Sequence, residues 1–165
     1  MMAQVSRQQI GTLEGCPIYA VEKFGVLRIE WVAKLAVCNN GSGGNPDNDP
    51  YHQDQTAYYN GGKYLNPYEV PYIVVPPLII EGVDPVVLGC QGAIVNLKNG
   101  QSTPAICGEI GPDDKLGEAS CEAAGRLGLS SSPNSGGTDE HIILYAIWPG
   151  IAAVVDGVDY KLQPS

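Results

Sequence analysis

Phenylalanine occurs once in this chain, basic residues number 9 against 18 acidic ones, and only 16% of positions are charged. The resulting net charge of -9 makes nucleic acid and anionic membrane surfaces poor partners. No apolar run is long enough for a transmembrane helix. Cys-x-x-Cys pairs and histidine spacings suited to zinc are both missing, so no metal is expected. The start, Met1 to Arg7, lacks an apolar signal core. Export therefore requires a removed leader or another delivery route, or does not occur.

What is abundant points to strands and loops. Glycine (21), proline (13) and tyrosine (9) suit a strand-rich chain with tyrosines at a wet surface or groove, rather than a helical bundle. At 165 residues the chain is expected to form one domain with a real core. Five cysteines (Cys16, Cys38, Cys90, Cys107 and Cys121) allow two readings. They form one or two disulfides with an odd thiol, or they are buried thiols packing as small apolar residues.

Val26 to Cys38 alternates strictly, with Leu27, Ile29, Trp31, Ala33, Leu35 and Val37 on one face and Arg28, Glu30 and Lys34 on the other. That period is a strand's. Residues 1–23 have weak periodicity and are expected to pack as an extended N-terminal arm ahead of one domain over 24–165. Residues 39–66 form a long polar loop with interleaved Tyr51, Tyr58 and Tyr59, more in keeping with function than with disorder. Val70 to Pro76 reads as a short strand near a sheet edge or bend, because prolines bracket it. Val86–Cys90 and Ala93–Leu97 are two further strands, and Lys98-Asn99-Gly100 signals a hairpin into Thr103–Glu109. Glu118 to Leu127 is the best helix, stopped by Gly128. His141–Trp148 and Ile151–Val155 are the last strands.

The stretch from Glu109 to Ser120 crowds Glu109, Asp113, Asp114 and Glu118 together with Lys115, Gly111 and Gly117. A solvated acidic loop is the plain reading. The sharper one is a carboxylic acid and a carboxylate held in different protonation states, the equipment of glycoside hydrolysis.

With these segments laid out, the sequence resembles the fungal and bacterial chitosanases of glycoside hydrolase family 75. The likeness runs from about Phe24 to Gly150. Its blocks are Trp31–Gly41; Asp49-Pro-Tyr-His52 with Tyr58; Val70-Pro-Tyr-Ile-Val-Val-Pro76; Glu109-Ile-Gly-Pro…Lys115-Leu-Gly-Glu-Ala-Ser120; and Gly136-Gly137…Tyr145…Trp148-Pro149-Gly150. The resemblance implies inverting endo-hydrolysis of chitosan, a β-1,4-linked glucosamine polymer, with Glu118 as acid and Glu109 as base. A polysaccharide partner, no cofactor, a monomer, and action outside the cell or at the cell wall go with it. By analogy with small inverting endoglycanases the fold is expected to be β-rich: one six-stranded barrel of the double-psi type, with one helix carrying Glu118.

Two positions depart from the family's pattern. Glu109 stands where the family has Asp, and Cys38-Asn39-Asn40-Gly41 stands where it has an acidic Asp-x-Asp-Gly turn.

Substrate contact is expected from Lys34, Asp49, Tyr51, His52, Tyr58, Asp113 and Lys115, each with a plain structural alternative. Asp113 and Asp114 are rival bases, and Asp47 and Asp49 either meet an ammonium or start turns. His141 is expected to be structural, and Trp148, in an apolar strand, to pack in the core. Two other functions stay open: a peptidoglycan hydrolase delivered to the cell wall, and a carbohydrate-binding or expansin-like module without catalysis.

Overall fold

In the computed structural model, which describes residues 5–163, the alternating run becomes one long strand, β3 (Val26–Cys38). Ile29, Trp31, Ala33 and Leu35 enter the main core, as their spacing requires. Ahead of β3 run β1 (Val5–Leu13) and β2 (Cys16–Lys23). After it come β4 (Tyr59–Asn60), β5 (Lys63–Tyr64), β6 (Tyr72–Val75), α1 (Pro77–Gly82), β7 (Cys90–Asn96) and β8 (Ser102–Ile110). The chain ends with β9 (Glu118–Ser120), α2 (Cys121–Arg126), β10 (Thr138–Ala152), β11 (Val154–Val155) and β12 (Val158–Asp159).

Strands β3, β10, β7, β8, β6 and β9 are neighbours in that order, and β9 pairs back onto β3. That pairing closes a six-stranded barrel, as expected. The β3–β9 and β6–β8 pairings are parallel, and the others in the barrel are antiparallel. Closure removes the free edges that a sheet of this size would otherwise expose.

Inside the barrel the Trp31 and Tyr145 rings stack with centroids 5.5 Å apart among Ile18, Ile73, Val75 and Ile94. A second apolar cluster, which includes Tyr58, Leu65, Tyr72, Val74 and Ile106, lies on the opposite face of β6 and β8. The alternation of β6 makes the division: Ile73 and Val75 go inward, Tyr72 and Val74 outward.

Several expectations need correction. The Val70–Pro76 segment is no edge: β6 is paired on both sides, parallel to β8 and antiparallel to β9. Its prolines are harmless because Pro71 and Pro76 fall just outside the strand, and Pro76 caps a second helix, α1, that the sequence pattern did not reveal. The helix expected from Glu118 starts three residues later, so Glu118 sits in β9 and the helix does not carry it. Val86–Cys90 and Ala93–Leu97 are not two strands but flank and form one, β7, hairpinned to β8 as the Asn99-Gly100 signal required. The N-terminal arm, in its described part, is a hairpin whose β2 extends the sheet along β3. Residues 1–4 of the N-terminal stretch considered for a signal core lie outside the described residues. All five thiols are free, and Cys38 alone among them is not fully buried. Trp148 packs on the outer barrel wall rather than in the core. Among the described residues no helix is long and apolar enough to cross a membrane.

Gly117, which leads into β9, approaches the backbone of β3 closely. Its φ is +97°, and a Cβ there would stand 2.3 Å from the Lys34 carbonyl oxygen. Gly117→Ala is therefore expected to destabilise the fold by at least about 1–3 kcal/mol, measured by chemical denaturation. An unchanged denaturation midpoint would contradict this placement of β9 against β3.

Candidate active site

Val74 stands at the centre of the site. Across one side of β6 its register partner is Glu109 on β8; across the other it is Glu118 on β9. Register partners point to the same face of a sheet, so both carboxylates project outward over Val74. Two inter-strand spacings put their backbones roughly 9.5 Å apart. Both line one groove of about 430 Å³, together with Lys34, Ala36, Cys38, Asn40, Asp49, Tyr51, Gly111 and Lys115.

A local irregularity makes this possible. Pairing runs from Ile73 with Cys107 directly to Val74 with Glu109, so Gly108 is an extra residue in β8. Such a bulge reverses the parity of everything after it. Gly108 fits there because a Cβ would meet Leu65 Cδ1 at 2.4 Å and Tyr72 Cβ at 3.0 Å. On the other flank, Ser120 ties down the strand that carries Glu118. Its Oγ donates to the Val70 carbonyl at 2.8 Å, accepts from the Tyr72 amide at 3.0 Å and caps α2 through the Ala123 amide. Gly111 leaves the groove open, since a Cβ there would lie 2.9 Å from Val74 Cγ1 and 3.9 Å from Glu118 Oε1. The Gly-Pro, Gly-Glu and Ser elements of the motif thus each have a mechanical reason.

The two carboxylates differ in their partners. Glu109 is 6% exposed and accepts hydrogen bonds from the Ala57 amide (2.9 Å), the Ile110 amide (3.0 Å) and Asn40 Nδ2 (3.2 Å). Burial raises its carboxyl above the ordinary range, while these donors pull it back toward the anion. The Glu118 carboxylate has no hydrogen-bond partner among the described residues. Burial raises it too, Lys115 and Lys34 oppose, and Glu109 and Glu14 add to the rise. Burial is thus opposed by different means at the two sites: by hydrogen-bond donors at Glu109 and by two lysine charges at Glu118.

Other expected contacts divide. Lys34, Asp49, Tyr51 and Lys115 line the groove, Tyr51 as an exposed ring at its rim. His52 does not: its Nδ1 lies 2.9 Å from the Asn39 carbonyl and its Nε2 2.9 Å from Asp54 Oδ1, so it braces the loop. Tyr58 is buried in the second cluster, with its hydroxyl donating to the Lys161 carbonyl. Asp113 and Asp114 are exposed and do not line the groove that holds Glu109 and Glu118. Asp47 accepts from the Tyr68 hydroxyl at 2.8 Å and stays clear of it. His141 lies 3.5 Å from Cys16 Sγ, away from the groove.

Asn40 was visible in the sequence only as a lost acid. It also accepts from the Gln53 amide and the Tyr72 hydroxyl, at 2.9 and 2.7 Å, so it holds the covering loop to Glu109. Among the described residues no cluster of His, Cys, Asp or Glu is arranged to hold a metal. No protein-family model matches the chain, and no curated protein matches it significantly.

Two tests follow from this geometry. Asn40→Asp replaces a donor with a like charge, so the Glu109 titration should move to higher pH when followed by NMR of its carboxyl carbon. A carboxyl raised in the folded state stabilises the fold below its unfolded pKa and costs stability as pH rises through the folded value. Glu118→Gln should therefore raise the Tm at pH 7 by a few degrees, with the gain vanishing in acid. A lower Tm at pH 7 would mean that Glu118 is a structural group.

Proposed function

We propose that the groove hydrolyses a β-1,4-linked amino-sugar polymer with inversion, chitosan being the first polymer to assay. The observation that carries this reading is the placement of Glu109 and Glu118 on either side of Val74, in one open groove. An inverting pair needs carboxyls roughly 6.5–9.5 Å apart, leaving room for a water between base and sugar. With β6 between their strands, the two carboxylates enter the groove from opposite sides of Val74, which supports the inverting reading.

In this mechanism Glu118 donates its proton to the glycosidic oxygen as the bond to the anomeric carbon breaks. Glu109, held as an anion by its three donors, removes a proton from a water attacking the opposite face of that carbon. Glu118 ends as the anion and Glu109 as the acid, and solvent restores both. Tyr51 offers a ring at the rim on which a sugar can stack, and Asp49 a carboxylate for a glucosamine ammonium. A muramic-acid polymer is the second reading, because Lys34 and Lys115 also line the groove and an amide stands at Asn40. Either polymer places the protein's action outside the cell or at the cell wall.

The test compares the parent with Glu118→Gln and Glu109→Gln on chitosan and on purified cell-wall glycan, by reducing-end release. Each substitution is expected to lower kcat by about 10²–10⁴ with folding intact. Cleavage of wall glycan alone would replace chitosan as the substrate. Equal activity in parent and Glu118→Gln would remove Glu118 as the acid. Binding of either polymer with no cleavage would leave a carbohydrate-binding module.

A further inference from the structure

Glu14 belongs to none of the segments that carry the family resemblance, and it does not line the groove. It occupies the two-residue turn between β1 and β2, with φ of 48° at Glu14 and 75° at Gly15. Left-handed angles at both positions give a tight hairpin turn that matches the twist of its strands. The turn delivers a carboxylate to the barrel wall beside the site, and its two oxygens are divided. Oε1 accepts from the Leu116 amide at 2.8 Å, and Oε2 accepts from Lys34 Nζ at 3.4 Å. Leu116 is two residues before Glu118, and Lys34 lines the groove that Glu118 faces.

We propose that Glu14 is a positioning residue for the general acid: it anchors the 111–117 loop through Leu116 and engages Lys34 at the wall of the groove that Glu118 faces. This rests on the two-carboxylate reading of the groove. Without the anchor, the segment entering β9 would lose a backbone hydrogen bond contributed from 102 positions away. Without the charge, Lys34 would act on Glu118 uncompensated.

The charged and titratable groups bearing on Glu118 come from several walls. They are Lys34 and Cys38 on β3, Lys115 on its own loop, Glu109 on β8, Tyr145 on β10 and Glu14 itself. Asp49 also lines the groove. The Cys38 thiol is pushed up to about 11, mainly by burial, and Tyr145 also rises on burial, so both stay neutral at ordinary pH. Glu14 is held below the usual carboxylate range, first by the Leu116 amide, and so carries its charge. Of the anions, Glu14 alone also hydrogen-bonds the loop.

The experiment uses Glu14→Gln and Glu14→Ala in the full chain, with the Glu118 carboxyl titration and Leu116 amide exchange followed by NMR. Glutamine keeps an acceptor for Leu116 but loses the charge. In Glu14→Gln the Leu116 amide should stay protected while the Glu118 midpoint falls by about half a pH unit, as a partly exposed charge allows. Adding Lys34→Met to that variant should bring the midpoint back up. In Glu14→Ala the Leu116 amide should exchange at least about tenfold faster.

An unchanged Glu118 midpoint in Glu14→Gln overturns the proposal, and so does unchanged Leu116 exchange in Glu14→Ala. If the alanine variant does not fold, the glutamine variant still decides. Neither readout needs a substrate. A shifted midpoint in a protein that cuts no polymer would sink the hydrolase reading and leave the Glu14 strut standing.

Discussion

Along β8 the side chains of Ala105 and Cys107 enter the barrel, and unbroken alternation would carry Glu109 in after them. A carboxylate among those apolar residues would have to shed its charge or be paired at high cost. The extra residue at Gly108 prevents this by turning Glu109 to the outer face, beside Val74. The rest of the site depends on that reversal. Once Glu109 is outside, it shares a face with Glu118, and the loop after β3 can reach it through Asn40 and the Ala57 amide.

The arrangement is electrostatically expensive. Two carboxylates are withdrawn from water, each contributing to or exposed to the other's field, and only one of them is hydrogen-bonded. Packing alone would favour an amide or an apolar side chain at position 118. Strain of this kind concentrates where chemistry is done, which is the physical ground for reading the groove as catalytic rather than as a solvated acidic turn. The surrounding anchors are consistent with that reading. Gly117 and Ser120, which flank Glu118, and Glu14, from the β1–β2 turn, all fix backbone within a few residues of it.

Much of the barrel could be read from the sequence because its signals are local. Strict alternation identified β3, and the Asn99-Gly100 turn identified the β7–β8 hairpin. The family resemblance carried by the Glu109–Ser120 motif pointed to the two residues that share the groove. The misses are of another kind. Prolines beside β6 suggested an edge, yet pairing from both sides made it the middle of the site. Alanines after Glu118 suggested an earlier helix start, but pairing with β3 and β6 holds residues 118–120 extended, a tertiary override of local preference. The bulge at Gly108 leaves no mark in composition, and it decides which way a key side chain points. His52 and Tyr58 looked like ligands because polar and aromatic residues in a loop do; their partners, Asn39, Asp54 and Lys161, become visible only once the loop is folded. Glu14 lay beyond reach for the same reason, since its partners lie far along the chain.

The central claim is that Glu109 and Glu118 act from opposite sides of a sugar, with a water between one of them and the anomeric carbon. Time-resolved proton NMR of a polymer digest tests it most directly, by observing which anomer of the new reducing end appears before mutarotation. The account predicts the α-anomer first from a β-linked polymer. Initial β-anomer would contradict it, because retention requires a carboxylate nucleophile attacking the anomeric carbon in place of a water activated by Glu109.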